Sequence, residues 1–182
     1  MPGTASPVVL AWTEVPPGSS RRAHAWRLLA DLLPGGAVLD NPCLRCGGPH
    51  GPVVVTNAPY RASVSYAGRF AVAAVAPIRD AAALGIDAEL LSDPRRDAAG
   101  MTGLLQDGET TAREWTRVEA ALKADGRGLR VEPATVHVIV GPSPGEWVAS
   151  VPGGAIYTGW DAAGPDGVLV SIAILSPAAR DL

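Results

Sequence analysis

Three carboxylates and one lysine are spaced so that they could share one site. Asp87 and Glu89 are two residues apart in Gly85-Ile86-Asp87-Ala88-Glu89, and side chains at i and i+2 of a strand point to one face. Glu119 and Lys123 are four residues apart in a helical pattern, so they also share a face. If that helix packs on that strand, three oxygen donors meet one ammonium group. Hard oxygen donors beside a cation suit the binding of magnesium and phosphate.

The hydrophobic pattern predicts the elements that must position these residues. A helix is expected over 21–33, and a second from Thr110 or Thr111 to about Asp125, where Gly126 ends it. Strands are expected at 8–12, 53–55, 63–65, 69–76, 83–91, 135–140, 147–151, 155–160 and 168–175. The stretch 94–108 reads as a loop with a weak helix.

A weak internal repeat in this order of elements predicts two related halves. Each half carries an arginine-rich helix and ends in an apolar strand followed by proline. We therefore expect an α+β fold, with an N-terminal half over 1–79 and a C-terminal half over 80–182 forming one compact unit.

The composition is that of a soluble globular protein. The chain has 182 residues, is 47% hydrophobic and carries a formal net charge of -3, so a basic surface for nucleic acid is not expected. No apolar run reaches the roughly 18–20 residues needed to cross a membrane. The start of the chain lacks the pattern of a secretory signal, and the two cysteines do not make a disulfide framework. We expect a cytoplasmic protein.

Two motifs of the chain resemble those of the phosphopantetheinyl transferases, in particular the surfactin-synthetase-activating type. Gly85-Ile86-Asp87-Ala88-Glu89 matches the family's hydrophobic-Asp-x-Glu strand. The segment from Trp115 to Ala124, WTRVEAALKA, matches its Trp-x-x-Lys-Glu-Ala-x-x-Lys helix. Ser65-Tyr66-Ala67-Gly68 looks like the family's Ser-His-Ser-Gly turn, and Cys46-Gly47-Gly48-Pro49-His50-Gly51-Pro52 looks like its His-Gly-basic-Pro segment.

The resemblance implies a fold of two similar α+β halves with the active site in the cleft between them. It implies transfer of the 4'-phosphopantetheine arm of coenzyme A to a serine of an acyl or peptidyl carrier protein, by a protein that works as a monomer. Asp87, Glu89 and Glu119 match the ligands of Mg2+ in the family. Glu119 also matches the residue that helps to deprotonate the serine, and Lys123 the lysine that contacts the coenzyme A phosphates.

The resemblance places further residues at the coenzyme but breaks at three positions. His50, Ser65 and Tyr66 fall in the family's coenzyme-binding segments. Val118 stands where the family has lysine, Tyr66 where it has histidine, and no basic residue separates Gly51 from Pro52. Arginines are the candidates to supply the missing charge: Arg21 and Arg45, with Arg22, Arg61, Arg69 and Arg117 as further possibilities. Val118 shares a stripe with Trp115 and Leu122, so we expect it in the core.

These departures leave other interpretations open. The chain could be a repurposed transferase-fold homologue that binds another small molecule, as a cyclase or dehydratase in natural-product biosynthesis. It could also dock carrier proteins without doing chemistry. Separately, Cys43-x-x-Cys46-x-x-x-His50 has the spacing of zinc ligands, although a fourth ligand is not evident.

Overall fold

The computed structural model describes residues 6–43, 45–94, 96, 105 and 110–177. The expected strands and helices appear in this part of the chain, with ends displaced by up to three residues. They are β1 (Val9–Glu14), α1 (Arg21–Leu32), β2 (Val38–Asp40), β3 (Val54–Thr56), β4 (Tyr60–Ala67), β5 (Phe70–Pro77), β6 (Ala83–Leu90), α2 (Ala112–Asp125), β7 (His137–Val140), β8 (Glu146–Ser150), β9 (Ile156–Ala162) and β10 (Val168–Leu175). The α+β class is confirmed. The predicted loop at 94–108 falls almost entirely outside the described residues.

The first sheet has the strand order β1-β5-β4 and is antiparallel throughout. Helix α1 begins at Ser20, whose side chain accepts a hydrogen bond from the backbone N–H of Ala23 and satisfies one of the free donors of the first turn. The helix buries Ala25 and Leu29 against this sheet. Strands β2 and β3 form a separate antiparallel pair.

The second sheet has the order β6-β10-β9-β8-β7 and is also antiparallel. Helix α2 begins with a capping box formed by Thr111 and Glu114, and it ends at Gly126 in the left-handed conformation with φ 81°, which glycine adopts without strain. The face of α2 that carries Val118, Ala121 and Leu122 is buried on the sheet. Local signals at both ends therefore fix where this helix lies in the sequence.

The two sheets repeat one strand order. In each, the strand before the helix pairs with the last strand, and the last strand pairs with the one that precedes it: β1-β5-β4 and β6-β10-β9. The second sheet continues into the β7–β8 hairpin, whereas β2 and β3 pair only with each other and pack against the first sheet through Leu39 and Val55.

Strands β4 and β6 meet where the two sheets adjoin. The hydroxyl oxygens of Ser63 and Ser65 accept hydrogen bonds of 3.1 Å from the backbone N–H groups of Ile86 and Ala88. Apolar residues of both sheets then form one core cluster, which includes Val72 and Ile172. Within the described residues, no helix is both long enough and apolar enough to cross a membrane.

Candidate functional site

Gly85 lets helix α2 approach strand β6 closely. A Cβ atom at Gly85 would lie 2.1 Å from the carbonyl oxygen of Ala120 and 2.4 Å from the backbone nitrogen of Ala124. No larger residue fits without moving the helix, because such distances are well inside van der Waals contact. This contact places the helical turns that carry Glu119 and Lys123 beside the part of β6 that carries Asp87.

Asp87 is buried, and two polar groups contact one of its oxygens. Its side chain is 7% exposed, and Oδ1 lies 2.7 Å from the ammonium nitrogen of Lys123. The hydroxyl of Ser65 donates to the same oxygen at 2.9 Å and accepts from Lys123 at 3.1 Å. The other oxygen, Oδ2, is buried with no hydrogen-bond partner in the described structure. A buried carboxylate oxygen without a partner is costly, so Asp87 has an oxygen that a cation would satisfy.

Glu89 and Glu119 are half-buried beside Asp87. Burial, followed by the charge of Asp87, raises the pKa of both side chains. Arg96 lies 3.8 Å from Glu89 and Lys123 acts on both glutamates, and these cations oppose the increase in pKa. Within the described residues, the ligand oxygens of the three acids do not all lie within 4.8 Å of one another. The structure thus brings Glu89, Glu119 and Lys123 near Asp87 in a looser group than a metal-bound set, as mutual repulsion of carboxylates requires.

A cavity of about 610 Å³ lies next to this group, between elements of the first and second sheets. The β2–β3 loop, β4, the start of β6 and the end of α2 line it. Its basic lining residues are Arg45, His50, Arg61, Lys123, Arg127 and Arg130. None of the lining residues that the structure describes is acidic. Lys123 belongs both to this cavity and to the carboxylate group, so it marks the junction between them.

Several of the cavity's cations remain available to an anion. The Nε atoms of Arg61 and Arg130 donate to backbone carbonyls at 2.8 and 3.0 Å, which orients both guanidinium groups and leaves their terminal nitrogens. Arg45, Arg61 and Arg130 have no carboxylate partner among residues 6–43, 45–94, 96, 105 and 110–177. Arg127 is instead held by Asp125, and its hydrogen bonds lower the pKa of that acid. Arg127 and Arg130 also follow directly after the C-terminus of α2, where the helix dipole favours positive charge.

The other predicted coenzyme-binding residues lie outside the lining of this cavity. Arg21 donates to the carbonyl of Gly68 and stacks over the ring of Tyr66, with 5.4 Å from the guanidinium carbon to the ring centre. Burial raises the pKa of Tyr66. Ser65 is buried and holds Asp87 in place. The structure therefore assigns Arg45, His50 and Lys123 to the cavity, and it gives Ser65 a supporting position behind the carboxylates.

Of the further arginines, Arg61 alone lines the cavity. Arg117 is 7% exposed and makes two hydrogen bonds to Asp161, at 3.0 and 2.7 Å. Burial alone would raise the pKa of Asp161, but its hydrogen bonds to Arg117 and Arg113 lower it. Arg22 donates to Asn41 and Pro49, and Arg69 pairs with Glu14.

Sequence reasoning missed Arg127 and Arg130. They follow the glycine that ends α2, in Gly126-Arg127-Gly128-Leu129-Arg130. The pattern predicts only the end of the helix. The two basic residues that follow the helix of Lys123 were the signal that could have indicated further cations at the site.

Val118 lies in the core, as predicted. It is 1% exposed and packs in the cluster that contains Leu122 and Trp147. The position that carries lysine in the transferase family is thus filled here by an apolar side chain that contributes to the packing of α2. No phosphate contact can come from it.

The cysteine–histidine cluster is also present. Donor atoms of Cys43, Cys46 and His50 all lie within 4.8 Å of one another. Hydrogen bonds from the backbone of Arg45 and Cys46 lower the pKa of Cys43.

No family model matches this chain, and no curated protein sequence matches it.

Proposed function

We propose that this chain is a magnesium-dependent phosphopantetheinyl transferase that modifies acyl or peptidyl carrier proteins. The observation that carries the proposal is the junction at Lys123, where a cavity lined by cations meets three carboxylates. Coenzyme A is a polyanion, and transfer from its diphosphate requires cations that neutralise the negative charge on the leaving group. The motif resemblance supports the same reaction, and the repeated strand order supports the two-halved transferase fold.

The residues around Asp87 fit a magnesium ion. Asp87 Oδ2 is a buried oxygen without a partner, and Glu89 and Glu119 have pKa values raised by burial and by the neighbouring negative charge. A divalent cation would relieve both conditions, and carboxylate oxygens are the ligands that magnesium takes. When bound, magnesium supplies charge neutralisation at the diphosphate.

Side chains of the protein bind the coenzyme and accept the proton of the carrier serine. Arg45, Arg61 and Arg130 hold the phosphates of coenzyme A, since their guanidinium groups have no acidic partner in the described structure. Glu119 takes the proton of the carrier serine as the general base. The serine oxygen forms a bond to the β-phosphorus, the bond between that phosphorus and the oxygen of 3′,5′-ADP breaks, and 3′,5′-ADP leaves.

Incubation with coenzyme A, magnesium and several apo carrier proteins tests the proposal by intact mass. We expect a carrier to gain the mass of phosphopantetheine, and Glu119→Gln to lose this activity. Glu146→Gln is the matched control, because Glu146 is exposed on β8 away from the site. Absence of a mass gain on every carrier would contradict the proposal.

A repurposed homologue that binds another anion is the second candidate. Two observations favour it: Lys123 already neutralises Asp87 at 2.7 Å, and a buried valine replaces the family's lysine at position 118. Calorimetry separates the two functions. Micromolar binding of coenzyme A that depends on magnesium would exclude the second candidate, whereas weak binding unaffected by magnesium would favour it.

A further inference from the structure

Both cysteines of the chain and one of its three histidines gather in the loop between β2 and β3. The sulfur of Cys46 lies 3.0 Å from Nε2 of His50, and all three donor atoms, that of Cys43 included, are within 4.8 Å. Zinc bonds of about 2.3 Å to sulfur and about 2.0 Å to nitrogen set tetrahedral ligand atoms roughly 3.5–3.8 Å apart. Small side-chain rotations would therefore complete a zinc site.

The backbone of the loop holds this arrangement. The N–H of Gly47 donates to the carbonyl of Cys43, and the N–H of Cys43 donates to the carbonyl of Gly48, both at 2.8 Å. Gly47 has φ 71°, which favours glycine. The N–H of Gly51 donates to the carbonyl of Asn41 at 2.8 Å and closes the base of the loop. The loop is thus folded back so that both sulfurs face the same imidazole.

We propose that Cys43, Cys46 and His50 bind one zinc ion through two sulfurs and one nitrogen. Thiolate and imidazole donors select zinc over magnesium. In the described part of the chain no further histidine, cysteine, aspartate or glutamate joins the group. Three protein ligands leave the fourth tetrahedral position to water or to a small donor, which distinguishes this site from a closed structural one.

The zinc site adjoins the basic cavity. Cys43 and His50 line that cavity, as does Arg45, which lies between the two cysteines in sequence. Two thiolates cancel the charge of the zinc ion, so the metal itself adds no net attraction for an anion. Its effect is to fix the loop that carries Arg45. Zinc should therefore strengthen polyanion binding indirectly, whether or not the chain is a transferase.

Metal analysis of the full chain tests the assignment. Protein purified with a reductant and without chelators should hold about one zinc per chain. Replacement by cobalt should produce thiolate-to-cobalt absorption, which can come only from this cluster because the chain has two cysteines. Cys46→Ala removes one of the two thiolates and should at least halve the absorption, and His50→Ala should weaken zinc binding. His137→Ala, which alters an exposed histidine on β7, is the control and should change neither. Far-UV circular dichroism checks that each variant folds.

Three results would overturn the proposal. The first is folded, reduced protein that binds neither zinc nor cobalt although both thiols react with a thiol reagent. The second is a disulfide between the cysteines that persists under reductant, seen as the loss of two hydrogens in intact mass. The third is cobalt absorption that Cys46→Ala leaves unchanged. Chelation of zinc should also lower the affinity for inorganic pyrophosphate several-fold. Unchanged affinity would overturn the role assigned to Arg45.

Discussion

Lys123→Met should expose how strongly the site depends on one cation. The substitution removes the ammonium group that lies 2.7 Å from Asp87 Oδ1 but keeps an apolar stem of similar length against the cavity wall. Asp87 is 7% exposed and its second oxygen already lacks a partner. The variant therefore leaves a buried carboxylate with only the hydroxyl of Ser65 to stabilise it.

The expected loss of stability follows from these exposures. Removing one partner of a fully buried ion pair costs about 3–5 kcal/mol. Lys123 is 31% exposed, so water already screens part of the attraction, and the hydrogen bond from Ser65 remains. We expect a loss of about 2 kcal/mol in the free energy of unfolding, or about 4–8 °C in Tm for a chain of this size.

Urea unfolding of a double-mutant cycle measures the effect. Asp87→Asn together with Lys123→Met removes both charges, so the double variant should recover most of the loss. Arg113→Met is the matched control. Arg113 makes an ion pair of 2.6 Å with Asp161, but it is 49% exposed and Asp161 keeps Arg117, so we expect a loss below about 1 kcal/mol.

Two outcomes would refute the reasoning. One is a loss for Lys123→Met below about 0.5 kcal/mol, the value of an ordinary exposed pair. The other is equal stability of the double variant and Lys123→Met. Either result would mean that Lys123 does not neutralise a buried charge, and the junction on which the proposed function rests would lose its physical basis.

Three further predictions concern the core, the pH profile and the cavity. Val118→Lys should destabilise the fold by about 3 kcal/mol or more in urea, because it buries an ammonium group, whereas Val118→Ile should cost less than about 1.5 kcal/mol; a stable Val118→Lys would contradict the packing of α2. Burial and the neighbouring charge raise the pKa of Glu119 above 4.5, so the folded state retains its proton and stability should fall as the pH rises from 4.5 through the raised value. Glu119→Gln should flatten that part of a stability profile, and an unchanged slope would argue against the shift. Arg61→Gln should weaken pyrophosphate binding about tenfold by calorimetry, while Arg79→Gln, 81% exposed and outside the cavity, should leave it unchanged; equal effects would point to non-specific attraction.

Elements with strong local signals could be predicted from the sequence. Thr111, Glu114 and Gly126 mark the ends of α2 by hydrogen bonds within a few residues, and prolines and glycines bound the strands. The placement of Val118 in the core followed from its helical stripe. These predictions succeeded because the deciding interactions are close in sequence.

The cavity and the pairing within the site depend on distant contacts. Arg127 and Arg130 line the cavity together with residues of β4, which lie far away in sequence, so no local pattern specifies this arrangement. The pairing of Lys123 with Asp87 requires the close approach at Gly85, yet one glycine among 21 carries no mark of this role. The ion pair of Arg117 with Asp161 also joins residues that are 44 positions apart, so the sequence pattern did not predict it.

The serine hydroxyl groups between β4 and β6 also cover the end strands of the two sheets. Each strand is the outermost member of its sheet, and an outermost strand ordinarily offers a row of bare N–H and C=O groups to other molecules. Here Ser63 and Ser65 occupy donors of the facing strand, so the two edges shield each other. Loss of Ser63 would leave the N–H of Ile86, a fully buried residue, without its acceptor. The same seam that supports Asp87 therefore also covers the end strands of both sheets.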